Sequence, residues 1–197
     1  MIHHWTEIKT GDRLFKDTDF DNKGKNFFMK IVTWCISWWQ NLRSGDREDG
    51  DDHSETFIWL DNILHVASST NKTGVRHMRF SRWAIQEGNP RIVIIRRRIP
   101  YTKDEEEQII EMVFDDCGLP YALWDGAKAF FGKPKDSIKE TLLELEDRGM
   151  ICSETTAKWD IDFYFWPNML PQRLRELYME NDASEIYNNK VLNLFKL

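Results

Sequence analysis

Two apolar-rich segments, at residues 53–60 and 63–68, are separated only by the dipeptide Asp61-Asn62. Such a short polar connection is typical of a tight turn between antiparallel strands, because Asp and Asn tolerate the left-handed backbone conformation that the turn needs. The pattern therefore predicts a β-hairpin. A hairpin is only marginally stable by itself, so the rest of the chain has to supply strands or helices that pack against it.

The remainder of the chain divides into strand-like and helix-like patterns. Further strands are predicted within residues 9–16, 75–80, 91–98 and 191–195. Helical segments are predicted within residues 26–42, 102–118, 118–132, 137–149, 151–159 and 167–180. Two of these helices begin with capping boxes, Thr102 with Glu105 and Ser137 with Glu140. The order of a helix, then strands, then helices predicts an α+β fold, in which an antiparallel sheet or small barrel packs against helices.

Length and composition favour one domain over residues 1–197. Hydrophobic residues make up 41 % of the chain, and its 9 Trp and 12 Phe can fill a sizeable core. The net charge of −6 argues against a general nucleic-acid binder, since phosphate binding needs an excess of Lys and Arg. We recognise neither a signal peptide nor a transmembrane segment. These features predict a cytoplasmic or virion-associated protein.

The three cysteines, Cys35, Cys117 and Cys152, are widely spaced and form no CxxC pair, so we expect free thiols and no cofactor or metal. Cys35 lies in the apolar stripe of residues 26–42, where a thiol is typically inert packing. Cys152 follows a turn at Gly149 and begins a predicted helix. Helix N-terminal amides and a nearby imidazolium both favour a thiolate, which makes Cys152 the candidate nucleophile.

The hairpin sequence His53-Ser-Glu-Thr-Phe-Ile-Trp-Leu-Asp-Asn-Ile-Leu-His65 resembles the histidine hairpin of NlpC-like, papain-fold cell-wall peptidases. In ordinary members the nucleophilic cysteine precedes this hairpin, whereas the Ile151-Cys-Ser-Glu motif follows it. That order resembles the circularly permuted papain-like amidases of the YiiX and YaeF type. Four further segments also resemble segments of these families, and their order along the chain agrees, so the resemblance spans about residues 9–175. These segments are Thr10-Gly-Asp-Arg-Leu-Phe, Thr73-Gly-Val-Arg, Leu119-Pro-Tyr-Ala-Leu-Trp and Trp166-Pro-Asn-Met-Leu-Pro.

The resemblance implies a permuted papain-like fold and a cysteine amidase or peptidase. Cys152 would be the nucleophile, and His53 would accept its proton and later deliver it to the leaving amine. His65, twelve positions after His53, would orient the His53 ring. The backbone N–H of Cys152 would be one oxyanion donor. The second donor and a role for Glu154 are left open.

The hairpin geometry conflicts with the role implied for His65. A tight turn at Asp61-Asn62 places His65 opposite Ile58, so His53 lies five residues further on, roughly 17 Å away at about 3.4 Å per residue. A shifted turn or a β-bulge would bring the two rings closer.

Otherwise the orienting group lies later on the second strand. The alternatives are Ser68, Ser69 and Thr70, with Thr70 opposite His53. Permuted relatives often carry a Glu in this role, but residues 63–70 contain no carboxylate.

Three functions remain open from the sequence. The first is a thiol hydrolase that cleaves an amide or peptide bond, with a peptide or amide substrate such as a cell-wall peptide. The second is an acyl or lipid transferase, which the aromatic residues of segments 26–42 and 129–131 favour. The third is a non-catalytic papain-like interaction module. A zinc site formed by His53, His65 and Cys152 is a further alternative, although no short-spaced ligand pair supports it.

Overall fold

The computed structural model describes residues 1–16, 53–70, 73–120, 152–161, 171–181 and 183–196. Within these ranges the strands are β1 (Arg13–Lys16), β2 (His53–Leu60), β3 (Ile63–Thr70), β4 (Gly74–Arg79), β5 (Arg91–Arg97) and β6 (Ala183–Lys190). The α-helices are α1 (Phe80–Gln86), α2 (Lys103–Asp116), α3 (Cys152–Lys158) and α4 (Pro171–Asn181). Short 3-10 helices cover Trp5–Glu7 and Val191–Phe195.

The six strands form one antiparallel sheet in the order β4-β3-β2-β1-β5-β6. The predicted hairpin is confirmed, because Asp61 and Asn62 have φ angles of 48° and 61° and connect β2 to β3 in a two-residue turn. The sheet is open, with β4 and β6 at its edges, so of the two predicted arrangements the sheet is observed and the small barrel is not. The chain therefore has the mixed α+β fold that the pattern predicted.

Helices cover both faces of the sheet, and a buried apolar cluster lies on each face. Side chains at alternate positions of one strand point to opposite faces, so neighbours such as Phe57 and Ile58 join different clusters. One cluster contains residues from α2, α3 and α4, including Ile109, Val113, Ala157 and Leu174. The other contains residues from α1 and from the second 3-10 helix, including Phe80, Trp83, Val191 and Leu194.

Most predicted elements within the described ranges are confirmed, with displacements of a residue or two. The capping box of α2 is present, because the Thr102 hydroxyl accepts from the Glu105 amide and the Glu105 carboxylate accepts from the Thr102 amide. One prediction is wrong: Val191–Phe195 is a 3-10 helix, and the last strand is β6, which the sequence pattern missed. The helix α1 was also missed. The predictions for residues 26–42, 121–132 and 137–149, and for Cys35, lie outside the described residues.

Candidate active site

The start of β2 and the start of α3 meet at one place in the fold. His53 is the first residue of β2, and Cys152 is the first residue of α3, which packs against β2 and β3. The His53 ring and the Cys152 sulfur are joined by a hydrogen bond. The structure thus brings together His53 and Cys152, the predicted general base and nucleophile, which are 99 positions apart in the chain.

A third side chain completes this group from the same strand as His53. The Nε2 atom of His53 lies 3.1 Å from Oε1 of Glu55, which leaves Nδ1 as the ring nitrogen available to the Cys152 sulfur. Glu55 Oε1 also accepts a hydrogen bond of 3.0 Å from the indole Nε1 of Trp83 on α1. The Trp83 indole therefore orients the Glu55 carboxylate, which in turn orients the His53 ring.

Charge stabilises the ionised form of all three groups. Burial opposes ionisation of His53, but Cys152 and Glu55 together raise its pKa to about 10. Burial likewise opposes ionisation of Cys152, yet the positive ring of His53 holds the pKa of the thiol below its ordinary value. The pKa of Glu55 is also lowered against its burial, chiefly by His53 and then by Lys16. All three shifts therefore favour a thiolate, an imidazolium and a carboxylate over the neutral forms of these groups.

Backbone amides add to the stabilisation of the sulfur. The N–H groups of Ser54 and Ser153 both donate hydrogen bonds to the Cys152 sulfur, and each contributes to lowering the thiol pKa. The Cys152 residue is 5 % exposed, and the His53 side chain is 17 % exposed. The sulfur is thus nearly enclosed, while part of the imidazole faces the solvent.

The end of α3 is attached to the sheet through a buried guanidinium. Arg13 of β1 donates to the Trp159 carbonyl (3.0 Å) and to the Thr56 hydroxyl (3.2 Å), and it pairs with the Asp160 carboxylate at 3.3 Å. These contacts join the residues just after α3 to β1 and β2. They fix the cysteine helix relative to the strand that carries His53.

A carboxylate at the end of α2 holds the same segment from another direction. Asp116 accepts from the Trp159 indole at 2.9 Å and from the Lys158 ammonium at 2.7 Å. The end of the cysteine helix is therefore fixed by two independent sets of polar contacts, those of Arg13 and those of Asp116.

The structure does not bring His65 to His53. His65 pairs with Ile58 across the hairpin, as the tight turn requires, and no shifted turn or bulge moves it toward the start of β2. Its Nδ1 instead lies 2.9 Å from Nδ1 of His77 on β4. The proposed orienting role of His65 therefore has no geometric support, because the hairpin register is set by its two-residue turn.

The three alternatives on β3 do not take this position either. Ser68, Ser69 and Thr70 pair with residues of β4, and the partner that the structure gives to the Nε2 atom of His53 is Glu55.

Sequence reasoning missed Glu55 although the necessary signal was present. Side chains two residues apart on a strand point to the same face, so a carboxylate at position 55 lies on the same side as a ring at position 53. The expected position of the orienting group was on the second strand, where residues 63–70 contain no carboxylate, whereas Glu55 lies on the first strand. Trp83 could not have been found in this way, because the helix that carries it was itself not predicted.

The zinc set of His53, His65 and Cys152 is not assembled. The described ranges contain no group of three or more His, Cys, Asp or Glu side chains placed to hold a metal ion. The segments 26–42 and 129–131, which favoured a transferase, lie outside the described residues. In the part of the chain that is described, no helix has both the length and the apolar character needed to span a membrane.

Comparison with known proteins identifies a similar fold but no family. No family model matches the chain, and no curated protein matches it. Among solved structures, the chain is similar to the metalloprotein YiiX (DUF1105) from Escherichia coli O157:H7, with a TM-score of 0.50 and 14 % sequence identity. The match covers 95 % of this chain and 92 % of YiiX. At this identity the likeness concerns the fold alone.

Proposed function

We propose that the chain is a thiol hydrolase that cleaves an amide or peptide bond through an acyl-enzyme on Cys152. The observation that carries the proposal is the contiguous series of Cys152, His53 and Glu55, linked by hydrogen bonds. A nucleophile, a base and a group that orients the base are the parts that covalent acyl transfer needs.

We also propose that the fold is a permuted papain-like one. The order of the residues supports this, because the histidine strand β2 precedes the cysteine helix α3 in the chain. The likeness to YiiX over nearly the whole of both chains agrees with a shared topology.

In the proposed reaction, the Cys152 thiolate attacks the carbonyl carbon of the scissile bond and forms a tetrahedral intermediate. The carbon–nitrogen bond then breaks, and the His53 imidazolium gives its proton to the leaving amine. In the second half-reaction, neutral His53 takes a proton from water as the water attacks the thioester, and the carboxylic acid leaves. Glu55 keeps the ring oriented and stabilises its positive charge throughout, as a positioning residue.

The chain offers a matched control for a test of the nucleophile. Cys117 is a second free cysteine within the described ranges, and it is exposed, whereas Cys152 is buried. Partial desolvation raises the pKa of the Cys117 thiol and the neighbouring Asp116 raises it further, so Cys117, although exposed, is weakly nucleophilic at neutral pH. A reagent that reacts by exposure alone therefore modifies Cys117, and a reagent that reacts by thiolate character modifies Cys152.

The experiment treats the protein with an activated acyl ester at neutral pH and follows release of the alcohol and the mass of the intact protein. We expect a stoichiometric burst and one acyl adduct, both lost in Cys152→Ala and retained in Cys117→Ala. The unmodified protein should then be assayed for hydrolysis of peptide amides, and the acyl-enzyme should be given amine acceptors in competition with water. Transfer to the amine in preference to water would favour the acyl transferase, and a burst that persists in Cys152→Ala would reject the proposal.

A further inference from the structure

Lys16 is a buried cation beside the candidate active site. It pairs with His53 across the β1–β2 ladder, and Leu14 pairs with Glu55, so Lys16 lies opposite His53 and diagonal to Glu55 on one face of the sheet. The Cβ atoms of directly opposite residues are about 4.5–5.5 Å apart, and those of diagonal residues are about 7–8 Å apart or less. Lys16 is only 6 % exposed, so its charge acts on both neighbours with little screening by solvent.

The helix α1 holds the Lys16 ammonium in this position. The Nζ atom of Lys16 lies 2.6 Å from Oε2 of Glu87 and 5.6 Å from the centroid of the Trp83 ring. A cation this close to an indole ring is attracted to its face. Trp83 and Glu87 are one helical turn apart, and the Glu87 amide donates to the Trp83 carbonyl at 2.9 Å. The helix that orients Glu55 through the Trp83 indole therefore also fixes Lys16.

The described charges around the His53–Glu55 pair come from three packed elements: Cys152 from α3, Lys16 from β1, and Glu87 directly after α1. Cys152 and Glu55 favour the imidazolium form of His53, whereas Lys16 favours the carboxylate form of Glu55. A positive charge opposite an imidazole disfavours its protonation, because like charges repel. Lys16 therefore stabilises the carboxylate of the pair and opposes the positive charge on the ring.

The proposed reaction makes two opposite demands on His53. The ring must carry a proton when the amine leaves, and it must be neutral when it takes a proton from the attacking water. Acylation turns the Cys152 thiolate into an uncharged thioester, which removes one of the two groups that favour the imidazolium. Glu55 remains, and a carboxylate without a competing cation would continue to hold the proton on the ring.

We propose that Lys16 is a positioning residue whose charge offsets part of the Glu55 carboxylate and so allows His53 to be neutral in the acyl-enzyme. The inference rests on the proposed function, because it gives Lys16 a part in the second half-reaction. In that step the water oxygen bonds to the thioester carbon, the carbon–sulfur bond breaks, and the water proton passes to His53. The thiolate and the imidazolium are thereby restored, and Lys16 itself transfers no proton.

The electrostatic part of the inference is tested in Cys152→Ala, which resembles the acyl-enzyme in having no charge at position 152. The measurement is the pKa of His53 from its ring proton resonances, assigned by comparison with His53→Gln. Lys16→Met should raise this pKa by roughly one unit, and Lys16→Arg should restore the value of the parent. Lys190→Met is the control, because Lys190 is exposed on β6, three strands away from β2, and it should have no effect.

Glu87→Gln supplies a change of the opposite sign and covers the case in which Lys16→Met fails to fold. It leaves the Lys16 charge without its counter-ion, so the pKa of His53 should fall below that of the parent. A purely structural role would not give shifts of opposite sign in the two variants. A His53 pKa that is the same in Lys16→Met and Lys190→Met, or that does not fall in Glu87→Gln, would overturn the inference.

The catalytic part is tested in the protein with Cys152 intact, by the rate at which the acyl-enzyme is hydrolysed as a function of pH. At a pH below the pKa of His53, Lys16→Met should slow this hydrolysis about tenfold for each unit by which that pKa rises. An acyl-enzyme with the same profile in Lys16→Met and the wild type would refute the role of Lys16 alone. Absence of any acyl-enzyme in the wild type would instead refute the proposed function, and with it this role.

Discussion

At the scale of a single residue, a substitution at Glu55 tests the candidate site. Its Oε1 atom bonds both His53 and Trp83, while its buried Oε2 atom has no hydrogen-bond partner within the described ranges. Replacing Glu55 with Gln keeps the shape of the side chain and removes its charge. The pKa of His53 should then fall and the pKa of the Cys152 thiol should rise, because less positive charge remains on the ring.

The predicted effect of Glu55→Gln is slower alkylation of Cys152 at neutral pH. At a pH below the thiol pKa, a rise of one unit in that pKa lowers the thiolate fraction about tenfold. The rate of alkylation and the ultraviolet absorbance of the thiolate, measured as functions of pH, report the shift directly. His65→Gln is the matched control and should leave both curves unchanged, and identical curves for Glu55→Gln and the wild type would rule out the orienting role.

At the scale of an element, the cysteine helix α3 depends on Arg13. The guanidinium is buried, with the residue 2 % exposed, and its partner Asp160 has a side chain that is 8 % exposed. Replacement of Arg13 with Met leaves the Asp160 carboxylate in the interior without this cation. Breaking one side of a buried ion pair typically costs about 3–5 kcal/mol, so we expect a loss of this size in the free energy of unfolding.

Urea unfolding of Arg13→Met, Asp160→Asn and the double variant separates the pair from its surroundings. The double variant should be more stable than Arg13→Met, because it no longer contains a buried carboxylate from which the cation has been removed. Thr102→Ala, at the cap of α2, serves as a comparison and should lose only about 1 kcal/mol. An Arg13→Met variant as stable as the wild type would show that α3 is held by other contacts.

The elements also show where sequence reasoning succeeds. The β2–β3 hairpin and the cap of α2 follow from local chemistry, a two-residue Asp-Asn turn and a Thr–Glu box, and both were predicted. The strand β6 was not predicted, because its Ala183–Lys190 sequence is largely polar and becomes a strand by pairing with β5. The contact of Trp83 with Glu55 depends on such long-range packing and emerges only once the strands and helices are in place, whereas Glu55 lies two residues from His53 on the same strand.

At the scale of the whole molecule, the Cys152–His53 pair sets how stability depends on pH. The folded pKa of His53 is raised from 6.5 to about 10, so its stabilisation is complete below 6.5 and is lost as the pH rises toward 10. The pKa of Cys152 is lowered from 9.0, so its stabilisation is complete above 9.0 and is lost as the pH falls. Between 6.5 and 9.0 the two trends offset each other, because the pair holds one proton in both the folded and the unfolded chain.

Cys152→Ala should remove this compensation. In that variant Glu55 still favours the protonated His53 ring in the folded protein, while the unfolded chain releases its proton above the ordinary pKa of 6.5. The free energy of unfolding should therefore decrease with rising pH, by up to about 1.4 kcal/mol per pH unit relative to the wild type. Urea unfolding at about pH 6 and about pH 8.5 measures the difference, with Cys117→Ala as the thiol control. Parallel pH dependences of the wild type and Cys152→Ala would mean that Glu55 alone does not keep His53 protonated in the folded protein.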